Sequence, residues 1–129
     1  MVFWGTKINM IKTGNISNIN VNYKEWFLGK FIKESDFNTE NIKNFEVKWS
    51  HKEKGYTFPL KENLVQDPYC KSMAILMRGK YKCSFLNDDG TFVDCLLENE
   101  GDYIFWAPDI NHKIEALEDS VILTIRWYA

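Results

Sequence analysis

Between residues 81 and 97 the chain alternates, turns and alternates again, and few folds accommodate that pattern. Tyr81, Cys83 and Phe85 share one side of a period-2 repeat, and Lys82, Ser84 and Leu86 share the other. Asn87-Asp88-Asp89-Gly90 follows, residue types that accept the positive φ of a tight hairpin. Residues 91–97 then run back. The same rhythm recurs elsewhere. Residues 44–51 (NFEVKWSH) set Phe45, Val47, Trp49 and His51 against Glu46, Lys48 and Ser50, which predicts a half-buried strand with the aromatic face inward. Residues 56–60 read as extended around Pro59. Residues 72–77 (SMAILM) are apolar on both faces, 103–106 form a short aromatic strand, and 112–117 and 121–127 flank a Glu118-Asp119 turn. About eight to ten short strands, roughly 8–12 residues apart and with no long helix, predict an all-β sandwich or barrel.

The N-terminal quarter is less regular. Residues 1–22, rich in Asn and Ile, read as a first strand around 7–11 and a connecting segment, with the barrel domain spanning 23–129. Residues 25–32 (EWFLGKFI) suit a strand in which Gly29 marks a bulge or a close approach. Residues 34–42 form a polar loop able to hold one helical turn.

Composition narrows the function classes. A chain of 129 residues fits one core. Sixteen basic against 18 acidic residues give a net charge of −2, no footprint for nucleic acid, and the scattered lysines do not favour an anionic membrane. The apolar runs fall far short of the ~20 residues of a membrane helix. Three cysteines without a CxxC pair indicate neither a disulfide framework nor a zinc knuckle, so a reducing cytoplasm is expected. The aromatic share, 16%, calls for a dense core or a lined cavity.

Two segments carry a family resemblance. Residues 73–80 (MAILMRGK) resemble the strand and closing glycine, here Gly79, that end the first motif of the cupin superfamily. Residues 101–112 (GDYIFWAPDINH) resemble its second motif, with Gly101 at one turn, Pro108 at the far turn and His112 opening the next strand. Over about 23–127 the chain is similar to small single-domain cupin-like proteins of undefined activity. The resemblance implies a cupin-type double-stranded β-helix, a jelly-roll barrel, with the His112 ring pointing inward and a homodimer as the partner. Metal-binding cupins supply two histidines and a glutamate before the closing glycine. Here Gln66, Pro68 and Ser72 occupy those positions or their neighbours, and Ile110 replaces a second glycine. His112 alone matches the four-ligand set.

Three readings of the site follow. In the first, His51, His112 and Cys83 converge on a divalent transition metal, since imidazole suits zinc, copper, iron or nickel. In the second, His112 or His51 acts as a base with Tyr103 or Tyr56 as acid, because imidazole titrates near neutrality. In the third, an aromatic-lined pocket near His51 and His112, walled by Trp49, Tyr81, Phe85, Met77 and Arg126, holds a small molecule. Arg126 would clamp an anion if buried, whereas at the surface it would pair with Glu115 or Glu118. The remaining alternative is a structural or ligand-sensing dimer without metal or turnover.

Overall fold

A computed structural model describes residues 11–60, 70–107 and 110–128. Gln66, Pro68 and Pro108 lie outside the described residues, as does the expected strand at 7–11 apart from Ile11. Among the described residues nine strands form two antiparallel sheets. They are β1 (Ile11–Asn15), β2 (Asn44–Lys52), β3 (Thr57–Phe58), β4 (Cys70–Arg78), β5 (Tyr81–Leu86), β6 (Phe92–Leu97), β7 (Asp102–Trp106), β8 (His112–Ala116) and β9 (Ser120–Tyr128). One sheet runs β1-β7-β4-β9-β2 and the other β3-β8-β5-β6. This is the all-β jelly-roll that the strand rhythm and the cupin motifs predict.

Local chemistry sets the turns. The β5–β6 hairpin closes where the Asp89 carboxylate accepts from the Thr91 N–H at 2.9 Å and from its hydroxyl, while Gly90 adopts a φ of +88°. Gly79, with a φ of +107°, leaves no room for a Cβ, which would strike the Asp119 carbonyl and Ser120. That close approach ties the β4–β5 turn to the start of β9. Ser120 completes the tie, accepting from the Lys80 N–H at 3.1 Å from a buried position.

Two apolar layers result. Leu76, Ile104 and Ile122 of the five-stranded sheet meet Cys83, Phe85 and Leu97 of the other between the sheets. On the outer face of the larger sheet, Met73, Ile75, Phe105, Ile125 and Trp127 are covered by Ile16, Ile32 and Phe37. Strand β4 is apolar on both faces because both are buried.

The segment expected as a strand at 25–32 is instead part of that cover. Lys24 and Glu25 have positive φ values of 53° and 76°, which break an extended run before it starts. Gly29 bonds locally, its N–H donating to Phe37 O and its carbonyl accepting from Thr39. Consecutive apolar residues here serve an irregular lid, in which Ile32 is fully buried and a 3₁₀ turn at Ser35–Phe37 inserts Phe37. Among the described residues no helix is long and apolar enough to cross a membrane.

Candidate functional site

The inner face of the five-stranded sheet changes character along its length. Register places Leu76, Ile122 and Ser50 in one row across β4, β9 and β2, then Ala74, Thr124 and Lys48, then Ser72, Arg126 and Glu46. The first row opens in packed core, with Leu76 and Ile122 almost fully buried. The last ends in hydroxyls and charges. The polar rows floor a cavity of about 550 Å³ at this end of the barrel. Trp106 of β7, beside Ser72 in the floor's own sheet, adds an aromatic side, and the other wall is largely apolar, made by Tyr81, Cys83, Ile110 and Ile114. His112 stands in that wall, its ring 5.1 Å from Trp106 and 5.5 Å from Phe85 between centroids. Lys52 and Tyr56 also line the cavity, with Lys52 Nζ 4.3 Å from the centroid of the Tyr56 ring, a cation–π contact.

Electrostatics follow the same division. Burial pushes the Cys83 thiol up to about 12 and raises the Tyr81 hydroxyl further, with Cys83 and Tyr56 adding to the effect on Tyr81. Both are neutral, unreactive groups at ordinary pH. On the polar floor, Arg126 Nε donates to Glu46 Oε1 at 2.8 Å, and the Tyr128 hydroxyl donates to the same oxygen at 2.8 Å. Those bonds, first from Tyr128 and then from Arg126, hold the Glu46 carboxyl below its ordinary range. Arg126 therefore pairs with Glu46, not with Glu115 or Glu118.

The expected site residues divide by face. His112, Cys83, Tyr81 and Arg126 line the cavity, as does Tyr56. Phe85 is buried behind His112 and Trp106. The inward orientation expected of Phe45, Val47, Trp49 and His51 is reversed. Phe45 pairs with Trp127 and Val47 with Ile125, both on the outer face, and Lys48, Ser50 and Lys52 face the cavity. His51 is exposed, accepting from Trp49 Nε1 at 3.3 Å, and does not converge with His112. Tyr103 is also on the outer face, its ring 5.4 Å from Phe37, so it cannot serve as an acid opposite His112. Met77 packs into the same outer layer. For Tyr103 and Met77 the outer face has its own apolar cover, and on β2 that face is bare; in both places an apolar side chain does not mark the barrel interior.

These placements decide the fit of a metal. Of the proposed ligand set, the cavity wall holds His112 and a strongly protonated Cys83, and His51 is across the sheet. Among the described residues no three His, Cys, Asp or Glu side chains cluster as a metal would need. The donors do not fit a cupin four-ligand centre. What the arrangement offers is a mixed wall: aromatic rings and an imidazole facing lysines, an arginine and hydroxyls. An acid–base reading narrows to His112 with Tyr56, which both line the cavity.

Lys48, Ser50, Lys52, Ser72 and Thr124 were not foreseen at the site. The signal was in the pairing of two strands, since polar residues 44–52 of β2 stand beside Thr124, Arg126 and Tyr128 of β9. Two polar faces that pair side by side in the sheet mark a wet interior wall.

No family model matches the chain, and no curated protein matches it. Solved structures do. Drosophila melanogaster CENP-C bound to CAL1 is 17% identical with a TM-score of 0.52, over 62% of this chain and 60% of that one. The dTDP-4-dehydrorhamnose 3,5-epimerase from Sulfolobus tokodaii is 18% identical with a TM-score of 0.53, over 73% and 58%. An RmlC-like cupin from Shewanella frigidimarina is 17% identical with a TM-score of 0.50, over 72% and 70%. This chain spans about three-fifths of the length of the first two. The likeness is one of fold, and the chain has a cupin-type fold.

Proposed function

We propose that this chain is a cytoplasmic binding barrel for a small molecule, held in the cavity beside His112, and that it works as a homodimer. The observation that carries the reading is the asymmetry of the interior. One end is packed and the other keeps about 550 Å³ open between an aromatic wall and a polar floor. That volume suits a small ligand, and a mixture of apolar wall and few polar groups is the usual make-up of such sites. The fold itself is neutral on the question, since similar structures include an epimerase and a protein bound to another protein. Three free thiols suit a reducing compartment.

The homodimer is favoured by a separate observation. Among the described residues strand β2 is the edge of its sheet, and its outer face leaves Phe45, Val47 and Trp49 at 63%, 56% and 57% exposure. Long, apolar edge strands are normally covered.

Thr124→Phe tests the binding reading, because it puts a ring into the cavity from the middle of the floor. Ligand-detected NMR of the full chain against a fragment library should find binders to the wild type that the variant loses at unchanged circular dichroism. Binders that survive Thr124→Phe would place the site elsewhere and defeat the reading.

A further inference from the structure

We infer that the ligand of this cavity carries an anionic group, a carboxylate or a phosphate, seated on the β2 side between Lys48, Lys52 and Arg126; the inference rests on the binding reading above. The wall includes these three cations and, among the described residues, no carboxylate. Glu46 stands beside Arg126 in the same row and offsets one of the three. The chain as a whole has a net charge of −2, so three cations in one wall depart from its average. Lys48 and Lys52 sit four residues apart on one strand face with Ser50 between them, spanning about 13 Å of strand. Lys52 Nζ lies over the Tyr56 ring, and both lysines line the cavity with long stems. The planar fork of Arg126 and the hydroxyls of Ser72 and Thr124 add donors across the floor.

The opposite wall says what the rest of the ligand is. Tyr81 and the His112 ring there, with Trp106 beside Ser72 at the side of the floor, present flat ring surface, which fits a ring or another planar body. An aromatic acid or an aryl phosphate satisfies both sides at once.

Matched probes test this. Titration calorimetry of the full chain with benzoate, phenyl phosphate and benzamide compares two anions with an uncharged isostere of the first. Benzoate or phenyl phosphate should bind, benzamide should bind about ten-fold more weakly, and Lys48→Gln with Lys52→Gln should lower the anion affinity about ten-fold. Raising salt should weaken the anions alone. Lys54→Gln, an exposed turn lysine outside the cavity, should change nothing. Whichever anion binds more tightly assigns carboxylate or phosphate, and either supports the inference. Benzamide binding as well as benzoate, lost in Thr124→Phe but indifferent to the lysine pair, would overturn the anionic class and leave cavity binding standing. No binding by any of the three would overturn both.

Discussion

Strand β9 shows two environments on one backbone. Its outer side chains Leu123, Ile125 and Trp127 pack in the outer apolar layer. Its inner side chains, Ile122, Thr124, Arg126 and Tyr128, leave packed core and enter an open cavity. The outer face is thus uniform along the strand and closed by residues 16–42, whereas the inner face is graded from dry to wet. The barrel can keep a hollow end because much of its apolar burial has moved outside the barrel. The cover stops short of β2, where the outer face is bare.

The largest expected effect tests whether the outer layer is a true core. Trp127→Ala removes a buried ring that lies 5.4 Å from Phe105. It should cost about 3–5 kcal/mol, as loss of a buried aromatic does. Urea denaturation measures it, and a cost under about 1 kcal/mol would mean that the N-terminal cover is loosely held.

An alkaline titration probes the other side of the comparison. The folded Cys83 thiol ionises at about 12 against an ordinary value of 9.0, because burial disfavours the thiolate. A raised acid favours folding while it stays protonated, so the contribution is intact below pH 9.0 and is lost as pH rises toward about 12. Buried Tyr81, also raised, acts in the same direction. Midpoints of denaturation should fall across that window, and Cys83→Ala should flatten the fall without abolishing it. An identical slope in the variant would show that the inner wall is already wet around Cys83.

Alternation revealed the strands well but not which face of each is inside. Strands β5, β8 and β9 lie within a residue or two of where period 2 places them, since turn residues and branched side chains act locally. For β2 the same alternation gave the right two faces and the wrong assignment. Trp49 and His51 on the outside look like core residues because hydrophobicity is a property of the side chain, whereas insideness depends on a partner surface far away in sequence. Tyr103 and Met77 fail for the same reason, being half-buried against a second layer that includes residues 16–42. That layer was itself misread at 25–32, because an irregular lid has no period to detect. At the cavity, the motif oriented His112 and the β5 alternation put Tyr81 and Cys83 on one face, whereas Arg126 was left open between a clamp and a surface pair.

The bare edge of β2 separates fold from assembly. Trp49→Ser should leave monomer stability within about 0.5 kcal/mol, as exposed substitutions do, yet shift sedimentation from dimer toward monomer. Val47→Lys should act in the same sense by placing charge on the edge. Wild-type protein that sediments as a monomer at high concentration would remove the homodimer, and the aromatic stripe would then need another cover.

The smallest effect lies on the polar floor, where Glu46 accepts from Arg126 and Tyr128. Its carboxyl is held below the ordinary value of 4.5. A lowered acid stabilises the fold while ionised, so its contribution is present above pH 4.5 and lost as pH falls through the depressed value. Exposure and solvent screening keep that contribution slight. Glu46→Gln should therefore barely move the denaturation midpoint at pH 7 and should make its decline below pH 4.5 slightly shallower. The same variant frees the Arg126 fork, so it should tighten benzoate or phenyl phosphate binding. A variant that changes stability strongly but leaves anion affinity alone would mean that the floor is structural, with Glu46 there to lock β2 onto β9.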